Sequence, residues 1–346
     1  MNNLNVYKKM GIMLPAMFLL LLFTIIAAVA LGAVYVPLGR SFRIILDNIG
    51  LIDDPALPQE QVSIIFRVRL PRVIVACVAG AALSACGAVM QGLFRNPMAD
   101  PGVLGVSSGA GLGAIIAITT GFAARSIYTM PLFAAVGALC TVTLIYLLAL
   151  RKGKIAPLTL ILSGIAVSTF IGAVTQFILI RSNTYEVRRY VFWTMGGLSG
   201  MMWEQVRLIT FPVLVLLAVL MMFSRELNLL QLGEEEAQSL GLEPSRTRKL
   251  LLLFTSLITA VAISACGPVS FVGLIVPHMV RLIAGPDHRL LIPASALGGA
   301  IFLTGCDILG RLPADGEIHV GIITAILGAP YFLYLLIRTR RVGGAF

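Results

Sequence analysis

Three histidines (His278, His288 and His319) and five cysteines (Cys77, Cys86, Cys140, Cys266 and Cys306) are the residues of this 346-residue chain best suited to metal or nucleophilic chemistry. Neither set has the arrangement such chemistry needs. No two cysteines stand at metal-ligand spacing and their number is odd. All five lie inside apolar stretches, which reads as small buried hydrophobes. No nucleophile–base pair and no cluster of acids is present, so no catalytic residue, metal ligand or cofactor is assigned and the chain is not read as an enzyme. The Gly-rich stretch from Gly102 to Gly111 lacks the Gly-Lys-Ser/Thr of a phosphate-binding loop, so the chain does not itself hold nucleotide that way.

The remaining polar residues fall into a few groups. Arg67, Arg69 and Arg72 cluster before an apolar segment. Asp307 is the one acid deep inside such a segment, and an intramembrane carboxylate is a functional candidate by default; the alternative is a helix-packing hydrogen bond. Asn96-Pro97-Met98-Ala99-Asp100-Pro101-Gly102 must break the chain between two helices, because Pro disfavours helix before it and lacks a donor. Leu232-Gly233-Glu234-Glu235-Glu236-Ala237 opens a short helical pattern that Gly241 can cap. Leu232, Ala237 and Leu240 would give it an apolar face for a soluble partner, and a solvated charged loop is the alternative. Thr159, Ser163, Ser168, Thr169, Thr175 and Gln176 interrupt a segment from 157 to 180; such hydroxyls line a pathway or bond back to their own helix.

The elements that position these groups are membrane helices. Hydrophobic residues make up 58% of the chain and charged ones 12%, against roughly 25% charged in a soluble domain. The net charge of +10 lies between apolar spans, where it orients the chain and meets lipid head groups, so nucleic acid is not an expected partner. A spanning helix needs about 20 apolar residues. Ten segments qualify, near 11–34, 73–94, 102–122, 130–150, 157–180, 206–224, 250–267, 269–284, 291–310 and 319–337. None alternates in polarity as barrel strands do. The fold class is an all-α membrane domain over residues 1–346, with a polar loop at 225–249. The first segment is read as an uncleaved helix, although Ala28-Val29-Ala30 resembles a signal-peptidase site. With both termini in the cytoplasm, all five lysines fall on the cytoplasmic side, as positive charge should. Arg67, Arg69 and Arg72 fall outside and break the trend. Ser84-Ala85-Cys86-Gly87 recurs as Ser264-Ala265-Cys266-Gly267, five spans later. That echo is either chance or the trace of an inverted repeat of spans 2–5 and 7–10.

The motifs named above, with Arg69-Leu70-Pro71-Arg72, Phe271-Val272-Gly273-Leu274-Ile275-Val276-Pro277-His278, Asp287-His288-Arg289 and Gly328-Ala329-Pro330-Tyr331-Phe332-Leu333, resemble the FecCD family. These are permeases of bacterial ABC importers for iron chelates, haem and cobalamin. The likeness runs from about Arg67 to Leu336, and Val89–Pro97, Phe192–Gly196 and Leu229–Gly233 look most like the haem branch. It implies a homodimeric permease of about ten spans per subunit in the bacterial inner membrane. It also implies two cytoplasmic ATPase subunits, which carry the ATP and Mg, and an external substrate-binding protein.

Residue by residue, the likeness gives Arg69, Arg72 and Arg311 a role in docking the binding protein, with head-group anchoring as the alternative. It makes Leu232, Gly233, Glu234, Glu235, Glu236, Ala237, Leu240 and Gly241 the ATPase-coupling segment. It places Asn96 and Met98 at the cytoplasmic gate, where Asn before Pro is also a common turn former. Ser163, Ser168, Thr169 and Gln176 become pathway candidates, and so does His319, which stands where many relatives have Pro. His278 and His288 read as packing residues. The rival functions are an ion-coupled secondary transporter, which needs ionisable groups at the membrane midplane, and a membrane enzyme.

Overall fold

In a computed structural model, the structure describes residues 3–341 except 33, 35, 49, 55, 56, 152, 153, 156, 314 and 315. Its helices, in chain order, are α1 (Asn3–Ala30), α2 (Leu38–Asn48), α3 (Gln59–Ser63), α4 (Leu70–Leu93), α5 (Val106–Thr119), α6 (Thr129–Ala149), α7 (Pro157–Arg181), α8 (Thr184–Thr194), α9 (Trp203–Met222), α10 (Ser224–Leu230), α11 (Glu234–Ser239), α12 (Pro244–Cys266), α13 (Val272–Ala284), α14 (His288–Arg311) and α15 (Val320–Arg341). A two-residue ladder, Leu150–Arg151 against Lys154–Ile155, follows α6.

Among the described residues, seven helices are long and apolar enough to cross a membrane, and α5, α13 and the Val320–Leu335 part of α15 are shorter apolar helices. Together they match the ten expected segments one for one. The boundaries move where the backbone chemistry says they must. α5 starts only at Val106, because Pro101 opens a 3-10 turn and Gly105 turns left-handed at φ 71°. α13 starts at Val272, after Gly267 at φ 71° and Phe271 at φ 70°. The second span begins at Gln59, well before residue 73, and reaches Leu93 as one rod of 35 residues. A π-helical stretch at Ile64–Arg69 joins α3 to α4 inside it.

α4 is the axis of the bundle, buried over nearly its whole length, whereas α1, α6, α7 and α9 show wide apolar faces. Small residues let the helices approach backbone to backbone, as membrane helices must when lipid offers no hydrophobic drive for packing. A Cβ on Gly80 would lie 2.2 Å from the Gly299 carbonyl of α14, and one on Gly87 would lie 1.8 Å from that of Gly273 in α13. Gly109 of α5 and Gly137 of α6 meet in the same way. Ser84–Gly87 sits inside α4, but Ser264–Gly267 sits at the terminus of α12. The tetrapeptide echo therefore falls at unlike places and does not itself carry an inverted repeat.

α5 and α13 have 14 and 13 residues, or about 20 Å of helix against a hydrocarbon core of about 30 Å. The non-helical backbone beside them therefore lies within the bundle. Gly273 abuts Leu83, Asp100 and Pro101, at the level of the middle of α4. Irregular backbone at such a depth survives only inside protein or beside a wet cavity. A cavity of about 280 Å³ lies there, lined by Asp100, Gly102, Ser107, Pro268, Ser270 and Phe271, among others.

Candidate functional site

At the end of the bundle where α1 and α14 finish, the arginines turn inward. Arg69 Nη1 donates to the carbonyls of Val29 and Ala30 at 2.7 Å, and Nη2 donates to that of Val34. Arg311 Nη1 donates to Ala28 and Leu31 at 3.0 and 3.2 Å. Two guanidiniums thus close the C-terminus of α1, whose last carbonyls lack intrahelical partners and carry the negative end of the helix dipole. Arg72 Nε donates to Asp307 Oδ1 at 3.0 Å, and its Nη1 donates to both Glu317 oxygens at 3.0 and 2.8 Å. Arg311 Nε lies 3.1 Å from Asp307 Oδ2 as a charge contact, while its hydrogen bond goes to the Asp307 carbonyl at 3.3 Å.

Arg69, Arg72 and Arg311, which the resemblance offers for docking a binding protein, are turned into the chain. They are 4, 6 and 5% exposed. A buried charge must be paired and hydrogen-bonded, and here the chain itself supplies the partners. Two guanidiniums, Arg72 and Arg311, face two carboxylates, Asp307 and Glu317, while Arg69 is held by backbone carbonyls alone. Glu317 is the exposed member. Partial burial pushes its pKa up, but the Ser199 hydroxyl, which donates at 2.7 Å, and the Arg72 guanidinium outweigh that and hold it below its ordinary value. His319, two residues on, stacks on Phe192 at 5.4 Å between ring centroids and lies against Gly197.

At the other end, α11 projects from the bundle. Glu234 pairs with Arg248, and Leu232 and Leu240 are 60 and 59% exposed. Ala237 is fully buried, so it does not share an outward face with those leucines: the helix turns it onto the body of the protein. Gly233 at φ 138° and Gly241 at φ 83° bound the element. A Cβ at Gly233 would lie 2.0 Å from a Glu236 oxygen. A depression of about 650 Å³ flanks it, lined by Gln238, Gly241, Glu243, Arg246 and Lys249, among others.

The helix before it, α10, is pinned from two sides. Arg95 Nε and Nη2 donate to the Leu230 carbonyl at 3.1 and 2.5 Å. Asn228 Nδ2 donates to Asp287 at 2.9 Å, and Asn228 Oδ1 accepts from the backbone N–H of His288 at 2.9 Å. Asp287 is held down at about 2, chiefly by the Arg289 guanidinium. His288 is fully buried, with its ring against Gly92 of α4. Glu317, Ser199, Arg95 and Asn228 had not been singled out from the sequence. Glu317 had a signal, since it stands two residues before the pathway candidate His319. The others had none, because their partners are distant in sequence.

Just beyond Arg95, Asn96 is exposed and its Oδ1 accepts from the Met98 N–H at 2.8 Å, a side-chain turn that shapes the loop. Met98 is half-buried. On α7, Ser168 accepts from Ser108 of α5 at 3.1 Å, and Thr169 bonds back to Ile165 at 2.8 Å. Ser163 is half-buried, and Thr169 and Gln176 are exposed. Both lie in an open stripe with Leu162, Ile165 and Ile180. Of the cysteines, Cys86, Cys266 and Cys306 are buried and Cys77 is partly so. Cys140 is exposed, contrary to its reading as a buried hydrophobe. Among the described residues no three His, Cys, Asp or Glu side chains gather as a metal site would require.

Comparison with known proteins agrees with this architecture. Residues 20–338 match the FecCD transport family. The cobalamin import system permease protein BtuC of Halobacterium salinarum is 47% identical over 286 residues, covering 83% of this chain and 76% of that protein. The hemin transport system permease protein HmuU of Yersinia pestis is 40% identical over 277 residues, covering 79% and 83%. The likeness thus does not single out the haem branch. A solved inward-facing metal-chelate type ABC transporter superposes with a TM-score of 0.82 at 31% identity, covering 95% of this chain and 99% of that one. The chain is a multi-pass membrane protein and belongs to the FecCD transport family of ABC importer permeases.

Proposed function

We propose that this chain is the membrane-spanning half of an ATP-driven importer for a large metal chelate of the cobalamin, haem or ferric siderophore class. The observation that carries the reading is the likeness, over 83% and 79% of the chain, to permeases of cobalamin and hemin import systems. The geometry supports it in three ways. The segment 225–249 carries a short exposed helix fixed to the bundle, as a coupling element for a cytoplasmic ATPase should be. The open stripe of α7 suits a second copy of the chain, so that the pathway runs between two subunits that open by rigid-body motion. At the arginine end, which this topology puts outside the inner membrane, an acidic side chain of a binding protein reaches Arg72 by displacing the exposed Glu317. Complementary charge there sets register and association rate. Both termini are then cytoplasmic.

An ion-coupled secondary transporter fits less well. Its coupling carboxylate should stand free at the midplane, whereas Asp307 is enclosed between Arg72 and Arg311 at 3.0 and 3.1 Å. Reconstitution with the cognate ATPase and binding protein tests the reading. Uptake of cyanocobalamin, haemin or a ferric siderophore should require ATP hydrolysis. Uptake by the isolated chain on an ion gradient would overturn it.

A further inference from the structure

We propose that Arg95 is the positioning residue that conveys movement of the coupling segment to the gate loop, a role that rests on the importer reading above. Arg95 follows the last turn of α4 and directly precedes Asn96. Its guanidinium places two donors on one carbonyl, that of Leu230, the last residue of α10. Only Gln231, Leu232 and Gly233 separate that carbonyl from α11. A displacement of α11 therefore reaches residue 95 across one charge-assisted contact, and residue 96 through the backbone.

The opposite side of α10 is tied as well. Asn228 bonds Asp287 and the backbone of His288 at the start of α14. α14 meets α4 backbone to backbone at Gly80 and Gly299. The Asn228 tie therefore moves α10 with the α4–α14 body, and the Arg95 tie connects it to the loop that leaves that body. Arg95 sits at φ 49°, a region that non-glycine side chains rarely occupy. The chain keeps a long cation there, where glycine would relax the backbone. Asn tolerates this conformation, so Arg95→Asn removes the reach to Leu230 and preserves the turn.

The experiment uses the complete complex of chain, ATPase and binding protein in liposomes, with cyanocobalamin and haemin as transported probes. The readout is substrate moved per ATP hydrolysed, which a merely structural role would not change. Arg95→Asn should lower that ratio at least about tenfold, the loss expected from one charge-assisted hydrogen bond, while hydrolysis persists. Arg95→Lys, which keeps the charge on a single nitrogen, should recover part of it. Asn228→Ala, which loosens α10 without touching residue 95, should lower it too. Either assembled variant, Arg95→Asn or Asn228→Ala, holding the wild-type ratio would overturn the inference, as would a parallel fall of hydrolysis and uptake with the ratio unchanged. A wild-type complex that moves neither probe nor a ferric siderophore with ATP sinks the importer reading instead.

Discussion

Replacing Arg72 by Met keeps much of the side chain's apolar bulk and removes its guanidinium. Two ion pairs are lost with it. The contact with Glu317 is half in water, that side chain being 42% exposed, and contributes less than about 1 kcal/mol. The contact with Asp307 is enclosed, with side chains 8 and 1% exposed, and stranding one member of such a pair costs about 3–5 kcal/mol. Arg311 remains 3.1 Å from Asp307, so Arg72→Met should destabilise by about 3 kcal/mol, the lower end. Asp307→Leu should cost as much, because it leaves two guanidiniums with less than their counter-charge. Combining them should recover about 2 kcal/mol of the summed loss, since the double variant strands fewer charges than the singles together. Unfolding of the detergent-solubilised protein, followed by helical circular dichroism, measures all three. Were Arg72 mainly a presented docking cation, its loss would leave unfolding unchanged and weaken only the salt-sensitive association with the binding protein. Arg72→Met within about 0.5 kcal/mol of the parent, or strict additivity in the double variant, would refute the enclosed network.

Five further outcomes are expected. Gly87→Ala pushes a methyl onto the Gly273 carbonyl, which is backbone and cannot yield, so it should cost about 3 kcal/mol in the same assay; Gly11→Ala, which meets open space, should cost nothing. Asp287 has its pKa depressed from 3.8 to about 2, so its contribution is complete above pH 4 and vanishes as pH falls towards 2; Asp287→Asn should flatten the acid-unfolding profile in that window. Cysteines at Leu232 and Leu240 should cross-link to the ATPase, whereas one at the buried Ala237 should not; a reversed pattern would mean that α11 docks by its other face. Cysteines at Thr169 and Gln176 should cross-link between two copies of the chain, and Met98→Ala should raise uptake without ATP while leaving the ATPase complex assembled; cross-links to lipid alone would place α7 at the bilayer.

Helix number was legible in the sequence because lipid imposes a length and a composition on every span. Span limits were legible to within a residue at α6, α7 and the end of α12, but the start of α5 was read four residues early, because Pro101 opens a 3-10 turn before the helix. The rod from Gln59 to Leu93 was read short because Arg67, Arg69 and Arg72 look like the edge of a membrane. They sit within one helical rod, and two of them find acceptors more than 30 residues away. The partners of Arg69 and Arg72 lie in α1 and α14, which local sequence does not display. α8 was missed, although Asn183 and Glu186 form a reciprocal capping box, a signal that is present in the sequence. The short helix α11 was legible by its charge. Its inward residue was not, because a six-residue helix gives too few positions to fix a face.

The closure of α1 by Arg311 has a consequence for how the protein is made. The carbonyls of Ala28 and Leu31 receive donors from a residue 283 and 280 positions later. A ribosome adding about 5–20 residues each second takes roughly 15–60 s to cover that distance. The first helix therefore enters the bilayer with its far end unfinished, and it stays so until nearly the whole chain has been synthesised. During that interval the carbonyls of Ala28 and Leu31 lack the donors that Arg311 later supplies. Nascent chains arrested before Arg311 should be cleared faster than chains arrested just after it.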